Sequence, residues 1–183
     1  MKATKISIDN AKKDKLFYFV ANVIIYRSSD KKCLILKRSE TEKVHPSKYC
    51  VPGGKLEWKD LDISNPTRMN GDVFDFENKV EDLLIREAKE EVNADIEIIG
   101  ISKHPLEYEI SKESLFNNYF KTRGGRGKIV IAKLISSPEN IKIQEEEISG
   151  YKWIKKEEIE KYLTLQNQIE SARKIFEEFK DYF

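Results

Sequence analysis

The feature that most constrains this chain is a glycine turn followed by an amphipathic helix that carries acids on its apolar side. The turn is Pro52-Gly53-Gly54, and the acids stand in the string Arg86-Glu87-Ala88-Lys89-Glu90-Glu91. At about 100° of rotation per residue, Glu87 and Glu91 fall among the apolar positions of the helix, with Glu90 at their edge. Clustered carboxylates that face a packed interior are costly unless a positive charge meets them. The pattern therefore predicts a divalent-metal site beside the turn.

The plain alternative is that these acids form a solvated helix face. Charged residues make up 36% of the chain, and glutamate runs recur, so such a run usually faces water. The metal site is favoured because the other runs, such as Glu145-Glu146-Glu147, neither follow a glycine turn nor share a stripe with leucines.

Length and composition indicate an ordinary globular protein. A chain of 183 residues fits a single domain, 1–183, and its net charge of +1 gives no field that would draw it to nucleic acid or to an anionic membrane. Cys33 and Cys50 are predicted to be reduced thiols. No apolar run is long enough for a signal peptide or a membrane span, so we expect a cytoplasmic protein. A homodimer remains open.

The hydrophobic periodicity predicts an α+β fold. It indicates strands at 16–26, 33–36, 48–51, 96–101, 128–135 and 151–154, and helices at 77–92, 156–163 and 166–182, with Asn78 as an N-cap of the first helix. Strands mixed with helices of unequal length, without a repeat, favour a sheet between helices, an α/β/α sandwich. The stretch 61–75 has no regular period and is predicted to be an exposed, inserted loop.

With these residues in view, the chain resembles a Nudix (MutT-like) hydrolase. PGGKLE at Pro52–Glu57 and REAKEEVNA at Arg86–Ala94 resemble the two halves of a Nudix box. The flanking segments Leu34–Ser39 and Glu146–Ile159 resemble the neighbouring strands and helix of the family, so the likeness extends over about Phe17–Leu163. It implies a mixed sheet between helices and metal-dependent hydrolysis of a nucleoside diphosphate linked to another moiety. Oxygen ligands suit Mg²⁺ or Mn²⁺ better than zinc.

Two departures from the family pattern are visible. Lys55–Ile85 separate the two halves of the box, roughly 18 residues more than in the family, which is tolerable because loop-closure cost grows slowly with length. The insertion leaves open whether Asp60 or Glu77 matches the acid between the halves. Asn93 replaces the glycine after the helix, and asparagine is able to form a left-handed C-cap.

The resemblance implies a set of metal ligands and catalytic residues. The principal metal ligands it implies are Glu90 and Glu91, with the carbonyl of Gly53 as a further ligand. Glu87 is a ligand or the base, and Glu57 holds a second ion or serves structurally. Gly54 permits close approach of the turn to the helix, and Arg86 pairs with an acid to orient it. Glu147, with Glu146 beside it, is a candidate base from a later loop, against the alternative of a solvated acidic turn.

The predicted substrate is a nucleotide-type small molecule. Its binding residues are predicted to be Arg38, Gly54, Lys55 and Arg126. The run Arg123-Gly124-Gly125-Arg126-Gly127 is interpreted as a flexible turn before a strand, and His45 and His104 as loop residues rather than ligands. A nucleoside triphosphate or small nucleotide is favoured, with ADP-ribose and sugar nucleotides left open.

Two other functions compete with this hypothesis, and RNA decapping is a substrate variant of it. A non-catalytic, nucleotide-binding regulatory Nudix module is the main alternative, and it requires loss of a metal acid, whereas all three are present. An isoprenoid diphosphate isomerase would use a cysteine and histidine motif, which the sequence around Cys50 does not match. RNA decapping would require a basic groove that the balanced charge does not indicate.

Overall fold

The computed structural model describes residues 19–43, 45–55, 68–70, 73–75, 79–108 and 125–183, some of them by their backbone only. The strands are β1 (Phe19–Tyr26), β2 (Cys33–Arg38), β3 (Tyr49–Cys50), β4 (Gly53–Lys55), β5 (Arg68–Asn70), β6 (Val73–Asp75), β7 (Ile96–Tyr108), β8 (Gly125–Leu134) and β9 (Ile148–Ile154). The helices are α1 (Lys79–Val92), α2 (Ile159–Tyr162) and α3 (Gln166–Glu178), with short 3-10 turns at Pro138–Asn140, Lys156–Glu158 and Lys180–Tyr182.

Seven strands of the described part of the chain form a mixed sheet at the centre of the fold. Its main path runs β3-β2-β1-β8-β7, while β4 pairs with β1 and β9 pairs with β2. The pairing of β1 with β8 is parallel, and the other pairings in this sheet are antiparallel. None of the helices in the described part of the chain is long and apolar enough to cross a membrane.

The two faces of the sheet carry separate hydrophobic cores because side chains alternate along each strand. In β1, Ala21, Val23 and Ile25 face the core under α1, whereas Ile24 and Tyr26 face the core under α3. Helices therefore cover both faces, which confirms the predicted α/β/α sandwich.

Helix α3 and the residues after it cover the second face. Ala172 and Ile175 are fully buried, and the ring of Phe179 lies against Gly100 of β7. The ring of Tyr26 meets that of Phe183 at 5.7 Å between centroids. The predicted helix 166–182 is confirmed as far as Glu178, after which the chain tightens into a 3-10 turn.

The prediction of an irregular loop at 61–75 is wrong for six of its residues. Strands β5 and β6 form a two-stranded antiparallel sheet in which Asn70 is opposite Val73. In the sequence, Gly71-Asp72 stands between these two strands, and this dipeptide is typical of two-residue hairpins. The hairpin signal was present in the sequence, but the short strands on either side of it were too weak to be recognised.

Strands β7 and β8 are longer than predicted. Strand β7 includes His104 and Pro105, which were predicted to lie in a loop, and its pairing with β8 shifts register before Pro105. Since β7 is at the edge of the sheet, a proline and local irregularity are tolerated there. Strand β8 begins at Gly125, so the flexible turn predicted for this run is wrong from Gly125 to Gly127. The paired strands on both sides supply regularity that the glycine-rich sequence does not show.

Candidate metal and substrate site

Helix α1 places two acids on its buried side. Its buried apolar residues are Val80, Leu83, Leu84, Ala88 and Val92. Glu91 lies in the same stripe and is 7% exposed, while the side chain of Glu87 is 20% exposed. Glu90 is exposed. The prediction that Glu87 and Glu91 face the interior is confirmed, and Glu90 lies on the solvent side of them.

The carboxyl group of Glu91 is held in an unfavourable environment. Burial, and then the negative charge of Glu87, raise the pKa of Glu91 to about 8, although the backbone N–H of Gly53 donates a hydrogen bond that opposes this shift. Among the described residues, its Oε2 atom is buried without a hydrogen-bond partner. An unpaired buried polar atom is costly. Such an atom is therefore suited to receive a cation.

Glu87 lies directly against the glycine turn. A Cβ atom added to Gly54 would come within 2.8 Å of the Glu87 Cγ atom, so close approach, rather than backbone conformation, requires glycine here. The Nη2 atom of Arg86 is 3.6 Å from Glu87 Oε1, consistent with the predicted orienting role of Arg86. Burial raises the pKa of Glu87 despite this pair, and the charges of Glu90 and Glu147 add to the rise.

Strand β1 holds the glycine turn in place. The carbonyl of Pro52 accepts a hydrogen bond from the Val23 N–H at 2.9 Å, and Gly53 is paired with Asn22. A Cβ atom on Gly53 would lie 2.5 Å from the Oδ1 atom of Asn22. Asn22 is a buried polar residue that was not selected from the sequence, where its only signal is to be polar within an apolar run.

The C-terminus of α1 is capped as predicted. Asn93 adopts φ 52°, and its N–H donates to the Lys89 carbonyl at 3.0 Å. The side-chain amide of Asn93 also donates to the carbonyl of Asn140 at 3.0 Å. Glycine would permit the same backbone conformation but not this last bond.

The acidic turn Glu145–Glu147 lies beside the buried acids. Glu147 is exposed, yet its charge contributes to raising the pKa of both Glu87 and Glu91. The turn is thus both solvated and adjacent to the site, and the two interpretations made from the sequence are compatible. Glu147 therefore adds its negative charge to those of the acids on α1.

Arg38 is a second positive group near this cluster, besides Arg86. It is part-buried at the end of β2, where it pairs with Glu42, and its side chain donates a hydrogen bond to Cys50. Its charge partly offsets the rise in the pKa of Glu91. Lys55 lies in β4 and Arg126 in β8, each described by its backbone only. Glu57, Asp60, Glu77, Asn78 and Arg123 are outside the described residues.

The donor atoms fit a hard divalent cation better than a soft one. Cys33 and Cys50 are free and buried, and burial raises the pKa of each thiol to about 12, so neither offers a thiolate. Among the described residues, no three acid, histidine or cysteine side chains stand close enough to form a ready coordination group. Carboxylate oxygens and the unpaired Oε2 of Glu91 are the available donors, and oxygen donors favour Mg²⁺ or Mn²⁺.

Comparison with known proteins identifies the family. A sequence model of the NUDIX domain matches residues 18–179. Because this match spans most of the chain, the protein belongs to the NUDIX family, and the expected enzyme class, a hydrolase of phosphoanhydride bonds, is confirmed with it. No curated protein sequence matches the chain.

Several solved structures share the fold. A Caenorhabditis elegans Ap4A hydrolase in a binary complex is 21% identical with a TM-score of 0.59, covering 91% of this chain and 99% of that chain. The Escherichia coli dihydroneopterin triphosphate pyrophosphohydrolase is 18% identical with a TM-score of 0.59, at 86% and 95% coverage. The MutT protein from Methanosarcina mazei Go1 is 18% identical with a TM-score of 0.56, at 90% and 94% coverage. At these identities the likeness shows a common fold.

Proposed function

We propose that this protein hydrolyses a phosphoanhydride bond in a small nucleotide derivative, with a nucleoside triphosphate as the favoured substrate, and that the reaction depends on a divalent cation. One observation carries the proposal. The buried carboxyl group of Glu91, with its unpaired Oε2 atom, faces the charges of Glu87 and Glu147 beside a glycine turn. A buried carboxyl group that lies near two further negative charges favours binding of a positive ion together with an anionic substrate.

The proposed ion is Mg²⁺ or Mn²⁺. Glu91 and Glu87 would hold it, and Glu90, Glu57 and the carbonyl of Gly53 are the further proposed ligands. When bound, such an ion neutralises phosphate charge and acts as a Lewis acid. Glu91 has to lose its carboxyl proton to become a ligand, and so binding of the ion releases a proton.

Residues of the chain supply proton transfer and orientation. Glu147 is proposed as the general base, because its exposed carboxylate lies beside the buried acids and is able to accept a proton from the attacking water. Glu87 is the alternative base, and Arg86 orients it through the contact at 3.6 Å. Arg38, Lys55 and Arg126 are proposed to bind substrate phosphates, with Gly54 allowing the turn to approach them.

The choice of substrate is supported by the structural neighbours. One is named for Ap4A and another for dihydroneopterin triphosphate, and both of these compounds contain a chain of phosphates. A triphosphate or related nucleotide is therefore the first class to test. The cytoplasmic location and the assembly state remain predictions from the sequence.

A substrate panel tests the proposal. Nucleoside triphosphates, dinucleoside tetraphosphates, dihydroneopterin triphosphate and ADP-ribose are assayed for phosphate or pyrophosphate release, with Mg²⁺, Mn²⁺ or EDTA. Wild type, Glu90→Gln and Glu91→Gln are compared, with Glu145→Gln as a control at a neighbouring exposed acid. We expect turnover that EDTA abolishes and that both α1 variants reduce. Nucleotide binding without turnover on any of these substrates would contradict the proposal and favour the regulatory module.

A further inference from the structure

The acidic turn Glu145–Glu147 is exposed along its whole length, yet it has a defined place beside α1. An exposed turn of this kind has few packing contacts of its own to fix its direction. The hydrogen bonds that hold its backbone therefore decide where the backbone of Glu147 lies, and so which region its carboxylate is able to reach.

The end of α1 holds the segment that leads into the turn. The N–H of Gln144 donates to the carbonyl of Glu91 at 2.9 Å, and the N–H of Lys142 donates to that of Val92 at 3.0 Å. The last carbonyls of a helix lack partners within the helix, and here the segment before the turn satisfies two of them. The side chain of Asn93 adds a third bond, to the carbonyl of Asn140 at 3.0 Å.

Ser39, which follows β2, holds the turn from the other side. Its N–H donates to the carbonyl of Glu147 at 2.8 Å, and its hydroxyl donates to the carbonyl of Glu146 at 3.1 Å. The same hydroxyl lies 2.9 Å from the hydroxyl of Thr41. Ser39 is 7% exposed, so its bonds to the turn are protected from water.

We propose that Ser39 and Asn93 are positioning residues for the reaction, which hold the acidic turn so that Glu147 acts together with the acids of α1. This inference rests on the proposed function. The two residues act from opposite sides, since Ser39 connects the turn to β2 and Asn93 connects the preceding segment to α1. Neither side chain belongs to the acids that the sequence motif selects.

Both side-chain bonds are removable by conservative substitutions. Ser39→Ala deletes the hydroxyl but keeps the backbone N–H bond to Glu147. Asn93→Gly deletes the amide while retaining a residue that readily adopts φ 52°. Ser39→Thr keeps a hydroxyl and serves as the rescue variant. Ser171→Ala is the matched control, because Ser171 is a buried serine, 8% exposed, on helix α3.

The decisive experiment is a double-mutant cycle between Ser39→Ala and Glu147→Gln, measured on the best substrate of the panel. In the wild-type background, we expect Ser39→Ala and Asn93→Gly each to lower kcat about 3- to 10-fold with KM changed less than about 2-fold. In the Glu147→Gln background, Ser39→Ala should have little further effect, because residues that act through one group are not additive. Ser39→Thr should restore most of kcat, and Ser171→Ala should leave it unchanged.

Two results overturn the inference while the proposed function stands. One is an active wild type whose kcat is unaffected by Ser39→Ala and Asn93→Gly. The other is a Ser39→Ala effect of the same size with and without Glu147→Gln, which would indicate general destabilisation. A wild type without turnover on any substrate of the panel overturns the proposed function itself, and the positioning role with it.

Discussion

The two faces of the central sheet differ in what their helices bury. On one face, α1 packs leucine and valine side chains together with the carboxyl groups of Glu91 and, in part, Glu87. On the other face, α3 buries Ala172 and Ile175 and leads into an aromatic group in which Phe176 and Phe183 meet at 4.6 Å between ring centroids.

This difference separates stability from function within one fold. Apolar burial on the α3 face stabilises the protein, at about 25 cal/mol per Å² of apolar surface removed from water. Buried acids close to one another on the α1 face have the opposite effect, and the proposed cation would offset it. Proteins tolerate such local costs chiefly where a site requires them. Substitutions on the two faces should therefore change different properties.

Glu91→Gln should have the largest effect on activity. The amide keeps the shape of the side chain but cannot serve as an anionic ligand, so we expect kcat to fall on the order of 100- to 1,000-fold. The metal-free variant should melt at or above the wild-type temperature at pH 8, because a buried charge has been removed. Steady-state kinetics and calorimetry on the same preparations measure both effects. A variant that loses its fold together with its activity would contradict the proposed separation of stability from function.

Ile175→Ala tests the opposite face. Removing this fully buried side chain should lower the free energy of unfolding by about 2–5 kcal/mol. Because α3 holds no proposed catalytic group, kcat per folded molecule should stay close to that of wild type. Denaturant unfolding measures the loss of stability, and kcat divided by the fraction of folded protein measures the activity. A selective fall in kcat in a well-folded variant would show that the two faces are coupled.

The stability of the metal-free protein should depend on pH through Glu91. Its folded pKa is raised from an ordinary value of 4.5 to about 8 by burial and by Glu87 and Glu147, against Arg38 and the N–H of Gly53. The folded state therefore binds the proton more tightly than the unfolded state, so this contribution is complete below pH 4.5 and is lost as the pH rises through about 8. We expect a decrease on the order of a few kcal/mol in unfolding free energy across this range.

Glu91→Gln serves as the control for this pH dependence. The variant cannot titrate at this position, so its unfolding free energy should vary less than that of wild type between about pH 5 and pH 8. Denaturant unfolding of both proteins at these two pH values measures the difference. An equally steep curve in the variant would assign the effect to other groups.

Two glycine substitutions are expected to have the smallest effects, and they form the most closely matched pair. In Gly54→Ala the added Cβ meets the Glu87 side chain, and in Gly100→Ala it lies 2.7 Å from the Phe179 Cζ atom. We expect Gly54→Ala to lower kcat roughly 10-fold by displacing Glu87. Gly100→Ala should lower stability by about 1–2 kcal/mol and leave kcat unchanged. Equal kinetic effects of the two substitutions would contradict the account.

Much of the fold was predictable from local patterns. The apolar stripe of α1, the existence of strand β1 and the left-handed cap at Asn93 all follow from residues close together in the sequence, and the structure confirms them. The glycine-rich start of β8 and the proline in β7 were wrongly predicted, because their regularity comes from strands that are distant in sequence.

The candidate site, too, was predictable only where its residues lie close together in the sequence. The burial of Glu87 and Glu91 was predictable from helical periodicity alone. The contacts of Ser39 and Asn22 were not predictable. Ser39 donates a hydrogen bond to the carbonyl of Glu146, and Asn22 pairs with Gly53. In both cases the neighbouring sequence gives no sign of the contact. Glu147 was recognised through the family resemblance, and its place beside α1 depends on backbone bonds that no local pattern encodes.

The central claim is that the unpaired carboxyl oxygen of Glu91 is a ligand for a divalent cation. Crystals soaked in millimolar Mn²⁺ at pH 8 and measured for anomalous scattering test it most directly. We predict an anomalous peak in contact with the Glu91 carboxylate, which disappears in Glu91→Gln crystals. Wild-type crystals without such a peak, in which Glu91 stays buried and hydrogen-bonded as a neutral acid, would contradict the account.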